Sequence, residues 1–129
     1  MKYWLLKFNH GVEIGAALAY QGHYCRTKDP KIEQIILEEI SHQAVLTWVL
    51  NQEHRKSSIV IDNFFLFIGN IIGIFCILCP IWSLNFIART MEVFAIFNYN
   101  KLAKLFPDYK QLFLYLAEIE EQHRKYFSK

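Results

Sequence analysis

Apolar residues recur at three- and four-residue steps through most of the chain, the period of helices rather than strands. Between Pro30 and Gln52, Ile32, Ile35, Ile36, Glu39, His42, Leu46 and Val49 share one face, while Lys31, Glu33, Gln34 and Glu38 fall largely on others. A preceding helix is predicted from about Lys7 to Arg26. Thr27-Lys28-Asp29-Pro30 ends it and opens the next, with Asp29 as N-cap and Pro30 at the first helical position. After a polar joint, Asn51 to Ser58, no charged residue occurs from Asn63 to Ala88, a length that meets the criterion for a membrane-spanning candidate. Asn70, Gly69 and Gly73 interrupt this run, and Pro80 breaks or kinks a helix near Cys79. Two shorter helices are therefore expected. Asp62, Asn63 or a serine of Ser57-Ser58 opens the first, and the second starts near Pro80 and reaches about Asn98 or Leu102. A last helix follows Phe106-Pro107-Asp108 and continues to about Phe127, with Leu112, Phe113, Leu116, Ile119, Glu120, His123 and Phe127 on one side. Strong turn signals are few, with five Gly, three Pro and no Asn-Gly or Asp-Gly hairpin, so the fold class is all-α.

Composition narrows the function classes. The chain has 129 residues, 53% of them hydrophobic, enough for one domain with a real core and too apolar for disorder. Fourteen Lys and Arg against twelve Asp and Glu leave a net charge of +2, scattered along the chain, which argues against nucleic acid as a partner. Lys101, Lys104 and Lys110 form a solvated patch able to meet anionic lipid. Three cysteines without a scaffold spacing favour a reducing compartment, and the opening residues do not read as a signal peptide. Cys76-Ile77-Leu78-Cys79 lies inside an apolar helix and reads as packing, with no redox role.

The chemistry resides in two Glu-x-x-His words, Glu39-Ile40-Ser41-His42 and Glu120-Glu121-Gln122-His123. Each puts a carboxylate and an imidazole one helical turn apart on the same face. An isolated word of this kind is more often surface decoration. Here, however, Glu13 lies 26 residues before Glu39, and Glu92 lies 28 before Glu120. The midpoints fall at the turns already inferred from Asp29-Pro30 and Pro107-Asp108, so folding each half as an antiparallel hairpin levels its two glutamates. Tyr20 and Tyr99 each follow the first glutamate of their half by seven residues, which extends the internal repeat. Two packed hairpins would assemble Glu13, Glu39, His42, Glu92, Glu120 and His123, the ligand set of carboxylate-bridged di-iron sites in four-helix bundles. Carboxylates with one imidazole per ion suit iron or manganese. Ala16 and Ala17 beside Glu13, and Ala88 and Ala95 beside Glu92, permit close helix approach. Glu38, Glu118 and Glu121 read as surface neighbours. His10, His23 and His54 fall near expected helix ends, and His10, one turn before Glu13, is a candidate to support a ligand from behind.

At this point the chain resembles the demethoxyubiquinone hydroxylases, membrane-associated, ferritin-like di-iron monooxygenases of ubiquinone biosynthesis. Asn9-His10-Gly11-Val12-Glu13 and Ala19-Tyr20-Gln21-Gly22-His23 are similar to that family's first metal helix, and Glu39-Ile40-Ser41-His42 to its second. Gly69-Asn70-Ile71-Ile72-Gly73, the apolar stretch to Thr90, Glu92, Asn98-Tyr99-Asn100 and Glu120 to His123 continue in the family's order. Two departures matter: Asn9 stands where the family has Asp, and Asn98 where it commonly has His. The first puts no ligand in doubt, whereas the second removes a group suited to proton transfer or substrate orientation.

The resemblance implies a ferritin-like four-helix bundle with an additional broken hydrophobic segment, a single domain over residues 1–129. It implies two iron ions that use dioxygen to hydroxylate the ring of a polyprenyl quinol, with the electron donor, NADH or a reductase, left open and Tyr99 as the candidate catalytic residue. A bacterial-type member is expected, peripheral and monotopic on the cytoplasmic face of an inner membrane, with homo-oligomerisation left open. A single crossing by residues 63–88 would part the two ligand trios, so the metal reading requires the run to fold back on one side of the lipid. Two other readings remain: a ferritin-like metal-binding protein without hydroxylase activity, and a single-pass membrane interaction protein whose glutamates are surface residues.

Overall fold

The computed structural model describes residues Met1–Lys129 and contains helices and no strand. Five α-helices occur: α1 (Lys2–Thr27), α2 (Pro30–Gln52), α3 (Ile59–Leu78), α4 (Ile81–Leu105) and α5 (Lys110–Phe127), with a 3₁₀ turn at Pro107–Tyr109. The element content is that of a ferritin-like bundle, four long helices, plus one extra helix. The chain divides into two compact units, Leu6–Pro80 and Ile81–Lys129, with Met1–Leu5 belonging to the second.

Local chemistry explains most boundaries. Asp29 caps α2 by accepting a hydrogen bond from the Lys31 amide at 2.9 Å, and Pro30 occupies the first turn, where its missing N–H costs nothing. Lys28, at φ 53°, closes α1 in the left-handed region while its amide bonds the Tyr24 carbonyl. Ser58, one of the residues expected to open α3, does so by accepting from the Ile61 amide. The helix stops at Leu78, and Pro80 separates it from α4, so the uncharged run Asn63–Ala88 is indeed two helices.

In the unit Leu6–Pro80, α1 and α2 form an antiparallel hairpin. The α3 helix runs parallel to α1: Gly11 lies against Ile61 and Phe65, Gly15 against Phe65, and Gly22 against the backbone of Gly73. This seam brings main chain to main chain, as small residues allow in tightly packed helix pairs. Two polar contacts pin its ends. His10 bonds Asp62 of α3 at 2.9 Å, and the Arg26 guanidinium donates to the Ile77 carbonyl at 2.6 Å. By length and composition α3 is apolar enough to cross a membrane, and little of it is buried. In the unit Ile81–Lys129, α4 and α5 form the second antiparallel hairpin. Phe106, Tyr109 and Phe113 close its bend, with Tyr3 edge-on to Phe106 at 5.8 Å.

One expectation changes. The first helix begins at Lys2 rather than about Lys7, because Leu5 and Leu6 are buried and Tyr3 has a ring to pack on. His10 therefore sits inside α1, not near its end, and it is buried, as is His23. His23, one turn before the end of α1, and His54, just beyond α2, keep the places near helix ends expected of them.

Cys76 is buried and Cys79, at the α3 C-cap, is half-buried. Burial, with nearby Cys79 adding to it, pushes the Cys76 thiol up to about 11, so thiolate is scarce at neutral pH. Alkylation of the folded protein should modify exposed Cys25 first and Cys76 at least ~100-fold more slowly, since reactivity follows the thiolate fraction. Peptide mapping after brief iodoacetamide exposure checks this, and equal rates would contradict it.

Candidate metal-binding clusters

Each hairpin builds a trio of its own. The facing stripes of α1 and α2 carry Glu13 and Glu39-x-x-His42, and the ligand atoms of these three residues lie within 4.8 Å of one another. His42 Nδ1 is 3.7 Å from Glu13 Oε2, across the hairpin. On α4 and α5, Glu92, Glu120 and His123 likewise lie within 4.8 Å of one another. His123 Nδ1 is 3.8 Å from Glu92 Oε2 across that hairpin and 3.2 Å from Glu120 Oε2 one turn back. The cross-hairpin distance is thus nearly the same in both halves, which is the geometric form of the repeat seen in the sequence.

All six residues are buried, none more than 2% exposed. That disposes of their reading as surface glutamates. Each trio sets two carboxylates and one imidazole in a site shielded from water, where like charges repel strongly and desolvation of charge is costly. A cation reverses the sign of that balance. Two donors on one ion, each about 2.1 Å from it, can stand no more than about 4.2 Å apart. The separations of 3.7 and 3.8 Å lie inside that limit. Hard oxygens with a single imidazole suit iron or manganese rather than a thiolate-seeking ion. The residues present therefore fit a metal, and the protein has two buried Glu/His clusters able to hold one.

The neighbouring acids stay outside. Glu121 takes a bidentate contact from Arg124 at 2.6 and 2.7 Å, and this hydrogen bonding holds its carboxyl below the usual range. Glu38 accepts from Gln34, and Glu118 is exposed.

His10 supports α1 rather than touching a ligand directly: Nδ1 faces Asp62 at 2.9 Å, and Nε2 faces Thr47 of α2 at 3.0 Å. Sequence reasoning singled out His10 but not its partners. Their signals in the sequence were the lone charge of Asp62 at the start of an apolar helix and a hydroxyl residue, Thr47, five positions after His42. Tyr20 and Tyr99 are both buried, and Tyr99 stacks on Phe113 with centroids 6.4 Å apart. Asn9 and Asn98, the two departures from the family pattern, are both buried, and an amide is a group that can hydrogen-bond but does not titrate near neutral pH. No protein family, curated protein or solved structure matches the chain.

Proposed function

We propose that the two trios act together as one dinuclear iron centre and that the protein is an oxygen-dependent hydroxylase of a polyprenyl quinol ring at a membrane surface. The observation that carries this reading is the duplication: the same Glu and Glu-x-x-His set, equally buried, with matching cross-hairpin distances of 3.7 and 3.8 Å. The resemblance to the demethoxyubiquinone hydroxylases supplies the substrate class. Iron held there supplies the oxygen activation and electron transfer that no side chain can perform.

The chain's own residues do the rest. Glu13, Glu39, Glu92 and Glu120 would supply the carboxylates whose charge offsets that of the ions. His42 and His123 would each add one imidazole to the set. Their burial keeps bulk water from the reacting groups. Tyr99 is the proposed catalytic residue, its phenol able to hold a proton at Oη two turns from Glu92. Asn98 can orient a quinol oxygen by hydrogen bonding but cannot relay a proton, which places any such transfer on another group. The apolar α3 faces lipid from one side and gives an isoprenoid tail a route in, with NADH or a reductase as electron source on the cytoplasmic side.

A test is direct. Purified protein reconstituted with ferrous iron should hold about two equivalents per chain, lost together in Glu39→Ala and in His123→Ala. One equivalent, or independent loss, would refute a shared centre. Asn98 favours one second reading, a metal-binding protein without hydroxylation. Quinone profiles of cells lacking the chain separate the two: an accumulated precursor one ring hydroxyl short supports hydroxylation, and an unchanged profile rejects it.

A further inference from the structure

The only charge on the apolar helix α3 is Asp62, in its first turn, and its carboxylate is turned onto His10. The His10 ring is buried where three helices meet: Nδ1 lies 2.9 Å from Asp62 of α3, and Nε2 lies 3.0 Å from the Thr47 hydroxyl of α2. Both partners are acceptors. An ionised carboxylate has no hydrogen to give, and the Thr47 hydroxyl donates its one hydrogen to the Gln43 carbonyl, a turn back along α2 at 3.0 Å. Each ring nitrogen must then donate, so this pattern puts a hydrogen on both.

His10 stands three residues before Glu13, and Thr47 five after His42. In the antiparallel hairpin of α1 and α2 their bond is thus the rung next to the one where Glu13 faces His42 at 3.7 Å. A hydrogen bond between the two helices, one turn from a ligand pair, fixes how far apart those ligands stand. The hairpin of α4 and α5 lacks this rung. The equivalent places, three before Glu92 and five after His123, hold Arg89 and Ser128, both exposed, and the Ser128 hydroxyl donates to the Arg124 carbonyl one turn back. The repeat between the two hairpins therefore stops at this position.

We propose that His10, held as a donor at both nitrogens by Asp62 and Thr47, is the positioning residue of the Glu13, Glu39 and His42 cluster, so that seating α3 on this hairpin tightens cation binding there. The inference rests on the metal reading above and gives α3 a part in it. An acid in a first turn also suits the helix dipole, but a carboxylate facing water would serve that end equally. Asp62 faces a buried ring instead.

Two measurements on the full-length chain test this. In metal-free protein with isotope-labelled histidine, long-range proton–nitrogen spectra at neutral pH should show hydrogen on both His10 nitrogens, assigned by loss of the signals in His10→Gln. In Asp62→Asn, whose amide can donate, only one nitrogen should keep its hydrogen. Anaerobic titration with ferrous iron should show about tenfold weaker binding in Thr47→Val, recovery in Thr47→Ser and no change in Ser128→Ala. Thr47 is exposed and valine keeps its shape, so that variant should fold. A single hydrogen on the parent His10 ring overturns the proposal. So does Thr47→Val that melts lower without metal yet binds iron as the parent does, since the bond would then serve structure alone. A parent chain that binds no iron removes the metal reading and this inference together, whereas normal parent binding with an unaffected Thr47→Val removes this inference only.

Discussion

Replacing Glu120 with glutamine is expected to raise the melting temperature of the metal-free protein and to abolish the further rise that ferrous iron gives the parent chain. Glu120 is fully buried, with Glu92 and His123 in the same cluster. Removing its charge relieves repulsion among buried carboxylates, whose isolation from water is costly without a cation. A glutamine keeps the shape but is a far poorer ligand. Metal at a thousandfold excess over its Kd stabilises the parent by about 4 kcal/mol, or roughly 15 °C for a domain of this size. The variant should gain a few degrees without metal and respond little to it. Exposed Glu118→Gln on the same helix should behave as the parent in both conditions. Paired thermal melts by circular dichroism, with and without ferrous iron under anaerobic conditions, decide the matter. A Glu120→Gln chain that is less stable when metal-free, yet keeps the full metal response, would mean that Glu120 serves structure rather than metal binding.

The second large effect concerns the seam between α1 and α3. A Cβ at Gly22 would fall on the Gly73 backbone, 2.5 Å from its Cα and 2.6 Å from its carbonyl carbon. Backbone cannot swing aside as a side-chain tip can, so Gly22→Ala must part the helices and should cost about 3 kcal/mol. Gly73→Ala is the contrasting case, although it lies on the same seam. Its Cβ would meet the Leu18 carbonyl oxygen at 3.0 Å and nothing else closer than 3.8 Å. The gain of about 1 kcal/mol in helix propensity offsets much of that crowding, and the variant should lie within about 1 kcal/mol of the parent. Urea unfolding of the two variants distinguishes them. Equal stabilities would show that the glycine seam is looser than this geometry requires.

Local signals carried the fold a long way. Asp29-Pro30, Pro80 and Pro107-Asp108 mark three of the breaks between helices because capping and the missing proline N–H act within one turn, whatever lies beyond. The N-terminal boundary was misplaced by several residues for the opposite reason: Met1 to Leu6 carries no cap signal. Burial of Leu5 and Leu6 and the ring contact of Tyr3 with Phe106 hold the first turn in place.

The candidate clusters were legible in the same degree. The spacing of Glu13 from Glu39 and of Glu92 from Glu120, read about the two turns, was enough to pair each glutamate with the histidine opposite it, because an antiparallel hairpin converts sequence distance into height. Three features depended on tertiary structure: the parallel alignment of α3 with α1, the bonding of Asp62 and Thr47 to His10, and the side of α3 left uncovered. Periodicity reports which face of a helix is apolar, but α3 is apolar almost all round. Which side meets another helix was therefore settled by where glycine lets two backbones touch, a contact between residues some fifty positions apart.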